Sequence, residues 1–275
     1  MSKVQILVCA HKADAYIRNN DVYKAIQVGS AINNVDLGYL KDNVGDNISE
    51  RNPRWCELTA LYWGWKNIKD VNYSGLVHYR RYFDIDITEE NIESQIGSHD
   101  IIVGEPMLFN TTIFDHFVKW STMEDYYLLL DTILTLYPDS KESIEKYILN
   151  SNRFIPFTMF IASKKVFDDF CGFVFPIVFE LEKRIQSHNY VRLNRFIAYS
   201  GELLLGLYVT YKNLNVKYAP IVMNNERITT SFKSKLISEF HFKLRHPRYQ
   251  SLDPTIPESI KVGFKGNGIS LTYFK

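Results

Sequence analysis

Residues 75–86, with the sequence GLVHYRRYFDID, join a short apolar run to a dense cluster of functional side chains. One histidine, two arginines, three aromatic residues and two aspartates follow the apolar run within nine residues. The apolar run predicts a strand, so the cluster marks a strand end. Arg80 and Arg81 can clamp a phosphate. Asp84 and Asp86, a D-x-D, can hold a metal. The third interpretation is an ordinary strand end with charged flanks.

Two polar segments precede this stretch, and each lies next to a predicted regular element. Residues 4–10 predict a buried first strand, which ends at His11 and Lys12. Residues 33–53 are rich in Asn, Asp and Gly and predict a long loop, and long loops in compact domains are often functional. Apolar residues at spacings of three and four predict one amphipathic helix over residues 54–69.

The rest of the chain alternates strands with helices and is more helical in its second half. Further strands are predicted at 23–32, 100–103, 154–163 and 216–223. Further helices are predicted at 113–136, 141–149, 164–186 with a kink near Pro176, and 192–213. Early strands that alternate with helices predict an α/β fold with a mainly parallel sheet flanked by helices.

Composition and motifs exclude several classes of protein. The net charge of +1 gives no basic field on the scale that nucleic-acid binding needs. Three cysteines, far apart, fit reduced thiols in a cytoplasmic protein. The N-terminal apolar run is too short for a signal peptide, and no apolar run reaches the length of a membrane span. Motifs for dinucleotides, P-loop nucleotides, zinc and a nucleophilic serine elbow are absent from the sequence.

The polar clusters are expected to converge on one crevice. Ligands of α/β folds bind at the carboxyl ends of parallel strands, and His11, Lys12 and the cluster 78–81 follow such ends. Two arginines and a lysine suit a diphosphate. Adjacent residues on a strand point to opposite faces, so at most one of Arg80 and Arg81 is expected to reach the crevice.

The long loop offers hydrogen-bonding groups to the same crevice. Asp46 and Asn47 can hold sugar or ribose hydroxyls. The helix start near Asn52, where Ser49 or Asn52 itself can cap, adds backbone donors and a positive dipole end.

Two carboxylate sites compete for a catalytic role. Glu202 lies in the apolar segment AYSGELLLGLYV, and burial raises the pKa of carboxyl groups, which suits a general base. A Glu on the solvent face of a helix is the equally weighted alternative. The D-x-D of Asp84 and Asp86 can bind a metal if the strand continues through Asp86, although such a triplet is expected about once by chance in a chain of this composition.

The C-terminal segment is biased toward basic residues. Within residues 224–248, two acidic residues, Glu226 and Glu239, oppose six cationic residues, which are Arg227, Lys233, Lys235, Lys243, Arg245 and Arg248. The bias predicts either contact with a membrane surface or a solvated basic tail. We therefore divide the chain into a main domain, 1–223, and a basic extension, 224–275, that packs on the same domain or contacts a membrane.

The longest motifs resemble those of a known family. The segments IQVG, GDNISERNPRWCELTALYWGWKN, GLVHYRRYF, MFI, FPIVFELEKRI and ELLLGLYV occur in this order. They resemble a family of bacterial capsular and exopolysaccharide-synthesis proteins, long labelled a domain of unknown function, whose signature is HYRRYF. That family is similar to GT-A-type glycosyltransferases and includes galactofuranosyltransferase domains that use UDP-galactofuranose. The resemblance extends to about Met223.

The resemblance implies a Rossmann-like GT-A fold and a UDP-sugar transferase that builds a surface polysaccharide. It implies that His78, Tyr79 and Arg80 line the donor diphosphate site. Residues that match other family motifs are His11, Lys12, Asp46, Asn47, Ser49 and Asn52. It also implies an inverting reaction with Glu202 as base, no required cofactor, and a lipid-linked glycan acceptor at the inner membrane face.

The chain departs from the family pattern at five positions. Ala10, Ser121, Thr158 and Gly201 stand where Thr, His, Asn and Ser are usual, and Leu203 follows Glu202 where Arg is usual. Two alternatives therefore stay open: a metal-dependent UDP-hexose transferase that uses Asp84 and Asp86, and a non-catalytic module that binds sugar nucleotides or glycans.

Overall fold

The computed structural model describes residues 3–228, 231–245 and 256–274. The strands are β1 Val4–Ala10, β2 Tyr23–Gln27, β3 Leu40–Lys41, β4 Tyr73–His78, β5 Arg81–Phe83, β6 Ile101–Gly104, β7 Met107–Leu108, β8 Arg153–Phe154, β9 Phe160–Ser163, β10 Val216–Ala219, β11 Ile221–Met223 and β12 Glu226–Arg227. The helices are α1 Asn52–Trp55, α2 Leu58–Asn67, α3 Ile92–Ile96, α4 Ile113–Phe117, α5 Met123–Leu136, α6 Lys141–Ile144, α7 Lys164–Arg184, α8 Phe196–Tyr211, α9 Phe232–Arg245 and α10 Glu258–Gly266.

Contacts divide the chain into two compact units. Unit 1 comprises residues 1–106, 155–172 and 213–230, and unit 2 comprises residues 107–154, 173–212 and 231–275. Unit 1 contains the large sheet, and unit 2 contains most of the helices. The helical second half that the sequence predicts is thus found mainly in unit 2.

The sheet of unit 1 is mixed and mostly parallel. Its strand order is β3-β2-β1-β4-β9-β6-β10. The pairs β2–β3, β1–β2, β1–β4 and β6–β10 are parallel, whereas β9 runs antiparallel to both β4 and β6. The predicted α/β fold with a mainly parallel sheet flanked by helices is confirmed.

Close packing of helices on this sheet depends on small residues. A Cβ added to Gly64 of α2 would lie 2.8 Å from the Cδ1 of Leu7, so glycine lets α2 approach β1. A Cβ on Gly75 of β4 would lie 2.5 Å from the carbonyl oxygen of Phe160. The central strand β1 is almost wholly buried, as expected for a strand covered on both faces.

The opening sequence cluster forms a tight hairpin. β4 ends at His78, β5 begins at Arg81, and the two residues pair antiparallel, so Tyr79 and Arg80 form the turn. The sequence interpretation that placed Arg80 and Arg81 on one continuous strand is therefore wrong. The strand β5 ends at Phe83 because its pairing with β11 ends there, so the strand does not continue through the D-x-D.

The predicted helix over residues 54–69 is interrupted at Cys56. The backbone of Cys56 has φ 47° and ψ −123°, which closes α1 before α2 begins at Leu58. The side-chain amide of Asn52 donates to the Cys56 carbonyl at 2.9 Å and replaces a lost helical hydrogen bond. The interruption lets Glu57 turn inward, where it is buried.

Unit 2 is built on helices that the sequence predicts in outline. The predicted helix 113–136 is two helices, α4 and α5, and the side chain of Thr122 caps α5 by accepting from the Asp125 amide. The predicted helix 141–149 becomes α6 followed by a π-helical turn. α7 continues through Pro176.

A buried carboxylate organises the last described segment of unit 2. Asp131 of α5 is fully buried and accepts hydrogen bonds from the backbone amides of Thr272, Tyr273 and Phe274 at 2.6–3.1 Å. It also accepts from Arg184 at 2.6 Å. These contacts, which we call the Asp131 cluster, hold residues 272–274 on α5.

The basic tail lies partly in described structure. Residues 231–245 and 256–274 belong to unit 2, and residues 232–245 form α9. The predicted contribution of Arg248 lies outside the described residues. In the described part of the chain, none of the helices combines the length and the apolar character that a membrane span requires.

Candidate functional site

Three parallel strands of unit 1 end at the same edge of the sheet. Ala10 of β1 pairs with Gln27 of β2, and Cys9 of β1 pairs with His78 of β4. The segments that follow these strands therefore start side by side, as the sequence predicts. Gln27 also pairs with Lys41 of β3, which brings the middle of the long loop, residues 33–53, to this edge.

The hairpin tip contacts the segment after β1. The rings of His11 and Tyr79 meet edge to face with centroids 5.1 Å apart. The Tyr79 amide donates to the Cys9 carbonyl at 3.0 Å, which ties the turn to β1. The side chain of Lys12 is exposed beside this contact. The structure thus brings together His11, Lys12 and Tyr79 from distant parts of the sequence.

Arg80 is fixed by an acid that the sequence interpretation missed. Its Nε donates to Asp14 Oδ2 at 2.9 Å, and its guanidinium lies 4.9 Å from the Tyr79 ring centroid. The Tyr16 amide donates to the same carboxylate at 3.1 Å. The pKa of Asp14 is lowered mainly by the hydrogen bond from the Tyr16 amide and to a smaller extent by Arg80. Arg80 keeps 37% of its side chain exposed, so part of its guanidinium remains accessible.

His78 is a neutral hydrogen-bond donor. Burial lowers the pKa of His78 to about 4, with a smaller contribution from the nearby Arg81 cation. The Nε2 of His78 lies 2.5 Å from the carbonyl oxygen of Phe157, which can only accept, so Nε2 carries the proton. His78 therefore joins the hairpin to the segment before β9 and carries no charge at neutral pH.

Arg81 faces the same segment. Its guanidinium lies 4.4 Å from the centroid of the Phe157 ring, and its buried Nε has no hydrogen-bond partner. Phe157 and Thr158 have φ of 72° and 50°, a left-handed conformation that is costly for such side chains. The Thr158 hydroxyl donates to Glu57 at 3.4 Å. Strain of this kind is concentrated at functional sites in proteins.

The long loop is anchored by a buried carboxylate. Asp42 accepts from the amides of Gly29 and Ser30 at 2.9 and 3.0 Å and from the Ser49 hydroxyl at 2.5 Å. The Ser49 oxygen accepts in turn from the Ala31 amide at 3.0 Å. Ser49, predicted to bind the donor, is fully buried, and its hydroxyl joins the long loop to residues 29–31 after β2.

Asp46, Asn47 and Asn52 make contacts within the loop and to α2. Tyr62 donates to the Asp46 carboxylate at 3.2 Å. The amide group of Asn47 donates to the Gly45 carbonyl at 2.8 Å. The side chain of Asn52 bonds to the break between α1 and α2. Asp46 is exposed and Asn47 is half-buried, so the predicted contacts of these two side chains with a ligand stay predictions.

The D-x-D lies beyond the end of β5. Asp84 is paired with Arg227 at 3.6 Å. Asp84 and Asp86 line a shallow cavity of about 250 Å³ together with Arg18. Within residues 3–228, 231–245 and 256–274, no group of three or more His, Cys, Asp or Glu side chains is placed to hold a metal ion.

Glu202 belongs to unit 2. It is half-buried on α8. The pKa of Tyr126 is raised, mainly by burial of the phenol and then by the charges of Asp125 and Glu202. The Tyr126 hydroxyl is buried and has no hydrogen-bond partner. Glu202 thus lies within electrostatic range of a buried phenol, and its role as base stays a prediction.

Unit 2 also contains a cavity of about 280 Å³. His188 Nε2 and Asp125 Oδ2 are 2.9 Å apart in its wall, and the Ser121 hydroxyl donates to the same carboxylate oxygen at 2.6 Å. The polar lining residues are Thr122, Glu124, Asp125, Gln186, His188 and Asn267. Apolar surface comes from Leu128, Phe264 and Ile269.

A model of the family described as Domain of unknown function (DUF4422) matches residues 5–213. The chain belongs to this family. No curated protein matches the sequence. The solved structure described as WbbM bifunctional glycosyltransferase, in its apo form, is similar, with 26% sequence identity and a TM-score of 0.75. The match covers 84% of this chain and 48% of the WbbM chain, so this DUF4422 chain spans about half the length of WbbM. The fold of the DUF4422 chain is GT-A-like.

Proposed function

We propose that this chain is a glycosyltransferase that moves a hexose, galactofuranose or another, from a UDP-sugar to a growing surface-polysaccharide acceptor. The observation that carries the proposal is the cationic hairpin at the carboxyl edge of the parallel strands. In a GT-A-like fold this edge is where a ligand is expected. The family resemblance and the similarity to a bifunctional glycosyltransferase support the same reaction class.

The donor diphosphate is proposed to bind at the hairpin. Lys12 supplies an exposed cation and Arg80 a partly exposed one, from neighbouring segments. Asp14 orients the Arg80 guanidinium, and a preoriented guanidinium pairs with phosphate oxygens in a planar fork. His11 and Tyr79 offer ring faces and polar groups beside them. The nucleotide and sugar hydroxyls are assigned to Asp46 and Asn47.

The reaction is proposed as a single inverting displacement. Glu202 removes the proton from an acceptor hydroxyl, whose oxygen forms a bond to the anomeric carbon of the donor. The bond from that carbon to the diphosphate oxygen breaks, and UDP departs with the electron pair. Lys12 and Arg80 stabilise the charge that develops on the leaving diphosphate. No cofactor is required in this scheme, and a divalent metal is not favoured.

The acceptor is proposed to be a lipid-linked glycan at the inner membrane face. The cavity in unit 2 fits one of its sugar units, because polar groups that bind hydroxyls face apolar surface on which a sugar's C–H face can pack. Its volume lies near the lower end of the range for ligand pockets, about 300 Å³, which suits a single monosaccharide unit.

Titration with UDP tests the donor part of the proposal. The expected result is saturable binding of UDP that persists when EDTA replaces Mn²⁺. Binding that EDTA abolishes favours a metal-dependent transferase, and absence of binding in both buffers contradicts the transferase proposal. Hydrolysis of a panel of UDP-sugars then identifies the donor.

The base is tested separately with Glu202→Gln. This variant is expected to bind UDP as the wild type does and to lose sugar transfer. Transfer at the wild-type rate would remove Glu202 from the mechanism. Intact UDP binding without transfer or hydrolysis in the wild type would favour a non-catalytic binding module.

A further inference from the structure

Helix α9, Phe232–Arg245, has an exposed apolar face. Phe232, Leu236, Phe240 and Leu244 recur at every fourth position, and their exposed fractions lie between 54% and 76%. Ile237 beside them is 45% exposed. A helix has 3.6 residues per turn, so residues four apart lie on one slowly drifting stripe. We call these five residues the α9 stripe.

The opposite face of α9 is the one that packs on unit 2. Residues 238, 239 and 242 are half-buried, and α9 contacts β7. Glu239 is paired with Arg153 of β8 at 3.1 Å. A helix on the surface of a globular protein normally buries its apolar side and exposes its polar side. Among the apolar residues of α9, Phe242 lies on the packed face, whereas the five residues of the α9 stripe are exposed. A contiguous apolar surface of this kind marks an interaction site.

The charges around the α9 stripe select the partner. Lys233 and Lys243 are exposed near its two ends. Glu239 is the acidic residue of α9, and it lies on the packed face with Arg153. Apolar side chains flanked by lysines suit a surface that offers acyl chains and negative phosphates together, because lysine stems can lie along the apolar layer while their ammonium groups reach the headgroups.

We propose that α9 docks this chain on the surface of an anionic membrane. The helix lies parallel to the surface, the α9 stripe enters the boundary between headgroups and acyl chains, and Lys233 and Lys243 bind lipid phosphates. A second copy of this chain is a poorer partner, because pairing of two α9 stripes would bring lysines of like charge together. The inference concerns where the chain binds and does not depend on the donor chemistry.

Vesicle co-sedimentation tests the proposal with the full chain. Wild type is expected to sediment with vesicles of phosphatidylglycerol and phosphatidylcholine, and more weakly with phosphatidylcholine alone. Leu236→Ser/Phe240→Ser is expected to bind the anionic vesicles at least about tenfold more weakly, because two inserted side chains are lost. Lys233→Glu/Lys243→Glu is expected to lose the preference for anionic lipid.

The matched control is Tyr190→Ser/Val191→Ser, which removes two apolar side chains that are more exposed than Leu236 and Phe240. This control is expected to bind vesicles as the wild type does. Failure of wild type to sediment with anionic vesicles overturns the proposal, as does equal binding by Leu236→Ser/Phe240→Ser. A change in the mass at sedimentation equilibrium in that variant, without a change in vesicle binding, would assign the stripe to self-association instead.

Discussion

Arg80 has one guanidinium N–H bound to Asp14 and the rest of its side chain partly open. This arrangement reduces the entropy that a ligand must overcome to order a long side chain. The sequence could not place Asp14 in the candidate site, because the contact between residues 14 and 80 depends on the pairing of β1 with β4. The sequence could place the cluster of His78 to Arg81 in the candidate site, because its composition alone is unusual at a strand end.

Replacement of Arg80 is expected to weaken UDP binding. Arg80→Ala removes a planar cation from the proposed diphosphate site, so the Kd for UDP should rise by about tenfold or more. Asp14→Asn should give a smaller rise, because it disturbs only the orientation of Arg80. Titration calorimetry measures both. The control is Lys165→Ala, which removes an exposed cation at the start of α7, beside the residue that precedes β4 and so at the opposite end of β4 from the hairpin. An equal effect there would contradict a specific contact.

The low pKa of His78 predicts a dependence of stability on pH. The pKa is about 4 in the folded chain and about 6.5 in the unfolded chain, so the unfolded state binds more protons between these values. The stability that the neutral imidazole contributes is therefore complete above pH 6.5 and is lost as the pH falls toward 4. The pKa difference corresponds to about 3 kcal/mol.

Urea unfolding of wild type and His78→Gln across this pH range checks the prediction. Glutamine can still donate to the Phe157 carbonyl but does not titrate. The difference in the free energy of unfolding between the two proteins should shrink as the pH falls. Parallel curves would show that His78 does not cause the loss.

At the scale of elements, the loop of residues 42–49 is pinned to α2. Trp63 donates to the Val44 carbonyl at 2.8 Å, and Asn67 donates to the Asp46 carbonyl at 2.9 Å. Gly45 lies between these contacts with φ 69°, and a Cβ there would lie 2.2 Å from the side-chain oxygen of Asn67.

Gly45→Ala is expected to destabilise the chain by more than the cost of its backbone conformation. Gly38→Ala is a matched control, because Gly38 has a similar φ of 71° but no atom within 4 Å of an added Cβ. The control should cost about 1 kcal/mol, and Gly45→Ala should cost more and weaken UDP binding. Equal losses in urea unfolding would show that the contact with Asn67 yields at no cost.

Helix α10 offers a test of the proposed acceptor cavity. Gly263 lines the cavity, and a Cβ there would lie 4.0 Å from a carboxylate oxygen of Glu124. Gly263→Leu should fill the cavity and lower transfer to the acceptor by about tenfold, with UDP binding unchanged. Gly266→Leu puts the same side chain on α10 in open space and should leave transfer unchanged. Equal activity of the two variants would contradict the assignment.

The elements that the sequence predicted well are those with local causes. Apolar runs were sufficient to predict the strands β1, β4 and β6, and helical periodicity was sufficient to predict α7 and α8. The break at Cys56 could not be predicted, because it places Glu57 against Thr158, a residue 101 positions away. The hairpin of β4 and β5 could not be predicted either, because β5 pairs with β11, which is distant in sequence. The exposed apolar face of α9 was not predicted, because helices with such a pattern normally bury it.

At the scale of the whole molecule, unit 2 relies on the Asp131 cluster. A fully buried carboxylate is tolerated here because one cation and three backbone amides satisfy it. This role could not be predicted from the sequence, since an aspartate within a helical pattern usually lies on the solvent face.

Asp131→Asn is expected to destabilise unit 2 strongly. Arg184 is only 15% exposed and would lose its counter-ion, so the free energy of unfolding should fall by about 3–5 kcal/mol. Asp139→Asn, which alters an exposed carboxylate bonded to Tyr211, should change it by less than about 0.5 kcal/mol. Urea unfolding measures both. Additive losses in Asp131→Asn/Arg184→Gln would show that the two side chains are not coupled.

The Asp131 cluster also makes a short irregular segment a reporter for the folding of unit 2. The amides of residues 272–274 are held by a buried side chain and belong to no helix or strand. Their hydrogens should exchange with solvent deuterium only when residues 272–274 leave Asp131 of α5, so their exchange rates measure how often the Asp131 cluster of unit 2 opens. Amides in surface loops of the same unit should exchange much faster, which gives an internal reference within a single experiment.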